Sequence, residues 1–531
     1  MNKVCPQSEK CCELNPDHFD EYKHPHLNDL LQQGDNLYLP DNFPQSRQVV
    51  MEQLSVLKTL RIDDISTQKD ACKDEPSTSN ADSNKITSRA VNSPKHQKYT
   101  MADKMKSNYP YNLFFTTIPK LHDTLNQKNS ITFSDLLCPS LGELKCSLQL
   151  NFLVEIEWLI EQYKVHNVHT KPLTVVYGWD LPDMTDYIQK FLPNVKHHLM
   201  KLKNPMGHHH CKIGVYVYTD NSIRIVVSTA NLYYEDWNHY NNGLWVSPRC
   251  PQLPRNTPCD KGESPTGFKS TLLKYLKTYK LYLIKDFMRY ISNADFSSVN
   301  VFFVASTPGT HYPNGTKCHF YRTLNLLSSH CKIDSDPDSW EVNVQASSLG
   351  SFGKRPIDWL QSVLLRSLAC RQNYSPIPDP QVNINIIYPT VDDAVSCYFG
   401  EDGAGCLHYQ KDLHKKQLWL QTYLRKWCAD SSSRTKAMPH IKTYCRISPC
   451  KSKLAWFLLT SSNISRAGWG SGIGKNEGVC VRSYEAGVMF FPSFFNQEYF
   501  ELINGENNAT FPFMYDTVLK NYAPDDSPWT D

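Results

Sequence analysis

HHHCKIGVYVYTDNSIRIVVSTANLYYEDW (208–237) and MPHIKTYCRISPCKSKLAWFLLTSSNISRAGW (438–469) are two copies of one pattern, and their reading decides the fold. Each carries His-x-Lys, an apolar run broken by a turn, a Ser/Thr step, an Asn and a Trp. The first copy supplies His210, Lys212 and Asn231, the second His440, Lys442 and Asn463, with His-to-Asn spacings of 21 and 23 residues. His-x-Lys alone is weak evidence, since the chain has six. Those beginning at His96, His169, His330 and His414 have no Asn 20 to 24 residues later at the end of an apolar strand. In extended chain, residues i and i+2 share a face, so each His projects with its Lys. Two triplets related by a pseudo-twofold axis would place two imidazoles, two ammoniums and two carboxamides around one cavity. Lysines and carboxamides suit a tetrahedral phosphate, and two histidines suit a nucleophile and a general acid. That chemistry requires no metal.

Outward from the repeat, strands and helices alternate. A helix is expected over Asn151–Tyr163 and a buried strand over Pro172–Gly178. Two further strands, Ile213–Tyr218 and Ser222–Asn231, come next, then a long helix, Phe268–Ile291, and a strand at Val299–Ser306. The second half repeats the logic at Ser452–Asn463 and Tyr484–Phe491. The fold class expected is α/β, with two pseudo-twofold-related α/β/α sandwich domains, each with a mixed β-sheet. The divisions are a disordered regulatory tail over 1–105, a first domain over 106–296 and a second over 297–531. Ser66–Thr100 is too poor in apolar residues to fold. Val49–Ile65 reads as an amphipathic, partner-docking helix, and Ser93-Pro94 as a phosphosite.

Composition bounds the function. Lys plus Arg total 56 against 53 for Asp plus Glu, too balanced for a polybasic binder but compatible with a local basic groove. No stretch has the ~18 uninterrupted apolar residues of a membrane span, and the start lacks the apolar core of a signal peptide. A soluble intracellular protein is expected. None of the 18 cysteines forms a Cys-x-x-Cys pair, so free thiols are expected rather than a zinc ribbon. His208–His210 alternate in face, which disfavours them as a metal site.

The paired His-x-Lys motifs resemble those of the phospholipase D superfamily. Val217 and Ile447 stand where its generic motif has an Asp five residues after the Lys. With Asn at the far end of the next strand, the chain is similar instead to the tyrosyl-DNA phosphodiesterase family, from about Asn108 to Trp529. RSYEAGVMFFPS (482–493), STPG (306–309), IIYPTV (386–391) and KKQLWLQTYLRKW (415–427) add to the likeness. The resemblance implies a DNA repair hydrolase that cleaves the 3′-phosphotyrosyl bond between DNA and stalled topoisomerase I, and other 3′-blocking adducts. It implies a covalent phosphohistidine, with no cofactor and no metal. His210 would be the nucleophile and His440 the general acid and base. Lys212, Lys442, Asn231 and Asn463 would hold the phosphate oxygens, and Glu485 would orient His210.

The likeness extends to Ser348, Ser351, Lys416 and Met206 as DNA contacts, with single-strand preference and little base specificity. Met206 stands where a stacking Phe is usual. Asn242 replaces a Gln that supports the second histidine, and its shorter arm is expected to hold that ring less well. Phe152 replaces a Tyr, and the end at SPWTD is earlier than usual for the family. The partners implied are single-stranded or nicked DNA 3′ ends bearing a topoisomerase I peptide, with repair proteins on the tail. A monomer in the nucleus is expected, with cytoplasm or mitochondrion as further sites. The competing functions are another nuclease or phosphodiesterase of the superfamily and a non-catalytic DNA-end-binding scaffold.

Overall fold

The apolar runs form two mixed sheets whose strands follow one order. In the first the order is Ser130–Ile131, Leu113–Thr116, Gly243–Val246, Ile223–Ser228, Ile213–Tyr218, Leu144–Leu150, Leu173–Tyr177 and Val195–Leu199. In the second it is Phe302–Ser306, Glu485–Phe490, Lys453–Thr460, Thr443–Ile447, Glu341–Gln345, Ile384–Ile387 and Leu424–Arg425, with Phe500–Glu501 also paired to Lys453–Thr460. From the second strand of the first list and the first of the second, the strands correspond one to one. In both sheets four antiparallel pairings are followed by two parallel ones. This is the pseudo-twofold α/β architecture anticipated from the repeat.

The structure is a computed structural model. It describes residues 3–8, 11, 18–19, 22–32, 50, 53–54, 57 and 99–531, the last range without 259, 375–381, 475 and 504–509. Residues Met1–Ser93 and Pro94–Asp531 are separate compact units.

The strand Ile213–Tyr218 is buried along its whole length because both faces of the sheet are covered. Ile213, Val215 and Val217 enter the core shared with the second sheet, beside Phe268, Leu272 and Leu276. Tyr216 and Tyr218 enter the core on the opposite face, with Ile156, Leu159 and Ile160 of the helix Ile156–Lys164. Both hairpins turn on a residue in the left-handed region, Asn221 and Lys451, each with φ 61°.

Three expectations are corrected. The long helix Phe268–Ile291 is two helices, Phe268–Leu276 and Lys285–Ser292, because Lys280 adopts φ 55° and the chain turns. The helix expected from Asn151 starts at Ile156, since Asn151 spends its carbonyl on His209. The first 105 residues are not uniformly without fold. Lys3–Val4 pairs in parallel with Tyr22–Lys23, Pro25–Gln32 is helical, and Phe19, Leu27, Leu30, Val50 and Leu54 are buried together. The proposed boundary at 105 also falls inside the helix Met101–Ser107, which Thr100 and Asp103 cap reciprocally and Met101 anchors in the core. Composition suggested a tail because the polar run after Ser66 outweighed these few apolar residues. That polar run up to residue 98, including Ser93-Pro94, lies outside the described residues, as does most of Val49–Ile65.

Candidate active site

The two copies of the motif meet where each half hooks onto the other. His210 N–H donates to Tyr484 O at 2.9 Å, and His440 N–H donates to Asn241 O at 2.9 Å. Tyr484 and Asn241 directly precede Glu485 and Asn242, so the same hook delivers a supporting side chain to each ring. His210 Nδ1 lies 3.0 Å from Glu485 Oε2. His440 Nδ1 lies 3.1 Å from Asn242 Oδ1 and 3.2 Å from Asp236 Oδ2. With Nδ1–H committed in each case, Nε2 is the nitrogen left for chemistry.

The supports are themselves fixed. Ser461 Oγ donates to Glu485 Oε2, and Ala486 N–H donates to Ser461 Oγ at 3.0 Å. In the other half Thr229 Oγ1 donates to Asn242 Oδ1 at 2.8 Å, and Gly243 N–H donates to Thr229 Oγ1 at 3.0 Å. Asn242 Nδ2 donates to Asp236 O at 2.8 Å, which turns its oxygen to the imidazole. The short arm of Asn242 therefore does reach His440. Asp236 was missed by sequence reasoning. It stands five residues after Asn231, and the matching position after Asn463 is Gly468, so comparison of the two copies hides it. A Cβ on Gly468 would run into Ser462 Oγ, beside Glu485, so its bareness makes room for Ser462.

The lysines are placed alike: Lys212 Nζ donates to His210 O at 2.8 Å, and Lys442 Nζ donates to His440 O. Both are buried. Burial brings Lys212 down to about 8, and burial together with repulsion from Lys212 brings Lys442 down to about 7. Two ammoniums that repel in a buried space favour an anion between them. Burial holds His210 down to about 4 against the pull of Glu485, and His440 to about 3 against that of Asp236. Burial works to raise Glu485, but His210, Lys212 and Ser461 outweigh it and keep the carboxyl at about 2. Asp236 is likewise kept low by His440 against the effect of burial.

Asn463 Oδ1 accepts from Ser347 N–H at 3.1 Å, Ser347 Oγ at 3.3 Å and Ser348 N–H at 3.0 Å. Its oxygen is saturated, which leaves the Nδ2 hydrogens for a ligand. Asn231 is held through its backbone, N–H to Asp236 and O to Trp237 Nε1–H at 2.8 Å, and its buried Oδ1 has no partner. Phe152 closes one side, 5.2 Å from the His210 ring and 5.5 Å from Lys212 Nζ.

Ser348 and Ser351 lie on a loop tied on both sides: Gly350 N–H donates to Ile464 O at 3.0 Å, and Phe352 N–H to Gln417 Oε1 at 3.0 Å. Gln417 follows Lys416, whose side chain is exposed, so the three residues share one edge beside Asn463. Met206 is 65% exposed on the turn leading to His208. His209 is buried with Nδ1 on Asn151 O at 2.9 Å and Nε2 on Tyr279 OH at 2.8 Å. His319 is also buried, its ring nitrogens on Ser306 Oγ at 2.7 Å and Thr460 Oγ1 at 2.8 Å. Neither ring has a nitrogen left for a substrate. The final residues pack against the second sheet's side, where Val391 N–H donates to Ser527 O at 3.0 Å and Trp529 N–H to Pro389 O at 3.1 Å.

The described residues include no helix long and apolar enough to cross a membrane.

Residues 112–523 match the family model described as tyrosyl-DNA phosphodiesterase. The chain is 34% identical to tyrosyl-DNA phosphodiesterase 1 of Drosophila melanogaster, with 99% of each chain covered. It is 30% identical to a probable tyrosyl-DNA phosphodiesterase of Caenorhabditis elegans, covering 73% of this chain and 85% of that one. The crystal structure of the yeast tyrosyl-DNA phosphodiesterase superposes with a TM-score of 0.60 at 20% identity, over 79% of this chain and 98% of that chain.

Proposed function

The chain belongs to the tyrosyl-DNA phosphodiesterase family, and from that premise we propose that it hydrolyses the phosphodiester between a DNA 3′ end and the tyrosine of a trapped topoisomerase I peptide. The observation that carries the reading is the pair of imidazoles, each backed at Nδ1 by a residue of the opposite half and flanked by a buried lysine. The halves that supply these sets divide near residue 297, and the first takes in the helix Met101–Ser107.

In the first step His210 Nε2 attacks phosphorus in line with the phenolic oxygen. The P–N bond forms as the P–O bond to tyrosine breaks, and His440 Nε2–H gives its proton to the departing phenolate. Glu485 stabilises the positive charge that develops on His210. In the second step His440 takes a proton from water, the water oxygen attacks phosphorus, and the P–N bond breaks. The products are a DNA 3′-phosphate and the restored His210. Lys212, Lys442, Asn231 and Asn463 hold the non-bridging oxygens while charge builds on them. His440 must be protonated for the first step, and the bound phosphodiester adds the negative charge that, with Asp236, opposes the effect of burial. Both acidic groups at the site are occupied by imidazoles, so the donor set faces an anion rather than a metal cation.

DNA runs past Ser348, Ser351 and Lys416, with Met206 against a base. Contacts to phosphates and base faces favour single strands of any sequence and also admit other 3′ adducts. The workplace is the nucleus. The test uses a single-stranded oligonucleotide with a 3′-phosphotyrosine in EDTA. Release of 3′-phosphate DNA supports the reading, whereas turnover only after zinc or magnesium is restored contradicts it. Binding without turnover under any condition would favour a DNA-end-binding scaffold.

A further inference from the structure

The first unit contains a second constellation, far from the chemistry just described in residue type and purpose. Cys5, Cys11, His18 and His24 each direct one ligand atom to a common point, all four within 4.8 Å of one another. We propose that this is a structural zinc site of the Cys2His2 type, which holds the N-terminal unit together. The inference stands independently of the phosphodiesterase reading.

The distances carry it. Tetrahedral zinc has bonds of about 2.3 Å to sulfur and about 2.0–2.1 Å to nitrogen. Those lengths put neighbouring sulfur and nitrogen ligands about 3.6 Å apart and two nitrogens about 3.4 Å apart. Here Cys5 Sγ is 3.6 Å and Cys11 Sγ 3.3 Å from His18 Nε2, and Cys11 Sγ is 3.4 Å from His24 Nε2. The two Nε2 atoms are 3.2 Å apart. Two imidazoles meeting Nε2 to Nε2 can share only one proton. A cation at the centre removes that frustration.

The backbone builds the cage. Cys5 N–H donates to Lys23 O at 3.0 Å, which sets Cys5 beside His24. Ser8 N–H donates to Cys5 O at 3.0 Å and Cys11 N–H to Ser8 O at 3.1 Å, a turn that brings the second cysteine back to the first. His24 opens the helix Pro25–Gln32, its carbonyl accepting from Leu27 and Asn28 N–H at 3.1 and 3.2 Å. Cys5, Cys11 and His24 are buried. Gln53 Nε2 donates to Cys11 O at 2.6 Å, tying a later segment to the same place.

Energetics point the same way. Among the described residues the unit's core is Phe19, Leu27, Leu30, Val50 and Leu54, with Leu57 against it. A metal at the cage would fasten the cysteine-bearing turn to these residues. Loading releases the two thiol protons, so two thiolates and two neutral imidazoles balance Zn²⁺ and the buried site is neutral. The other candidate cluster, Cys428, Asp430 and Asp516, is partly exposed, and its carboxylates already accept from Ser431 and Thr435; it carries no such inference.

The test is elemental analysis of the full chain purified under reducing conditions. The proposal expects one tightly held zinc per chain, lost in Cys11→Ser and His24→Ala and kept in His18→Cys, where a thiolate replaces an imidazole. Cobalt exchanged into the wild type should show the intense visible bands and thiolate charge transfer of a tetrahedral site. All variants should retain wild-type rates on the 3′-phosphotyrosyl oligonucleotide, which shows that the Pro94–Asp531 unit is intact. Sub-stoichiometric zinc in the wild type, full zinc in Cys11→Ser and His24→Ala, an octahedral cobalt spectrum, or a Cys5–Cys11 disulfide in mass mapping would each overturn it.

Discussion

Asn242 and Glu485 hold the same position in the two halves of the molecule. Asn242 directly precedes and Glu485 begins the strand next to the motif hairpin, each accepts a hydroxyl proton (from Thr229 and Ser461), and each faces Nδ1 of the opposite half's histidine, at 3.1 and 3.0 Å. One is a carboxamide and the other a carboxylate. The missing charge on the Asn242 side is supplied by Asp236, whose counterpart is Gly468. The symmetry of the backbone is thus kept while the electrostatics of the two imidazoles are made different, which suits the proposed division into nucleophile and acid.

Removing the charge behind the nucleophile should slow its attack. Glu485→Gln keeps the size of the side chain but loses the charge that supports the developing imidazolium. We expect kcat to fall by about 10²- to 10⁴-fold, as for a triad carboxylate replaced by its amide. Single-turnover release of tyrosine measures this directly, and KM should change far less.

Asp236→Asn should act on the other ring. With less negative charge beside it, His440 is less readily protonated, so less of the acid form is present and the defect should depend on the leaving group. The variant should lose about 10²-fold on phosphotyrosine and much less on an ester of a more acidic phenol. Equal losses on both substrates would show that Asp236 does not act through proton donation.

Gly468→Ala tests the asymmetry itself. The added methyl collides with Ser462 Oγ, next to Ser461, which donates to Glu485. We expect kcat to fall by about 10- to 100-fold, since displacement of about 1 Å costs that much. The melting temperature should also drop. Loss of stability with unchanged kcat would mean that Glu485 tolerates the shift.

The pH dependence follows from burial. Lys442 and Lys212 are lowered to about 7 and about 8, so the free enzyme loses its phosphate-binding charge as pH rises through that window. His210, lowered to about 4, stays neutral and nucleophilic until pH falls below that value. Binding of a 3′-phosphate oligonucleotide, which needs the two ammoniums but no proton transfer, should therefore weaken as pH rises through about 7 to 8. Lys442→Gln should weaken that binding and alter its dependence on pH.

Much of this was legible in the chain. The duplicated His-x-Lys…Asn pattern gave the two sheets, their symmetry and the six central side chains, because a buried strand ending in a polar step has an unmistakable sequence. Glu485 was reached through the family likeness. Asp236 was not, since nothing marks one acid in YYED as buried and the second copy has glycine there. The cysteine–histidine cluster escaped for a related reason. Its Cys-x5-Cys spacing is wider than the usual two to four residues, and the polar run after Ser66 coloured the whole N-terminal region as unfolded. Lys280 broke the expected long helix because apolar periodicity carries no sign of a left-handed residue.

The central claim is that the two histidines divide the labour, with His210 taking the phosphoryl group and His440 releasing it. Mixing His440→Ala with the 3′-phosphotyrosyl oligonucleotide, quenching under denaturing conditions and mapping the adduct by mass spectrometry tests it most directly. The account predicts DNA 3′-phosphate linked to His210, which accumulates because no base activates water, and no adduct in His210→Ala. An adduct on any other residue, or one that persists in His210→Ala, would contradict it.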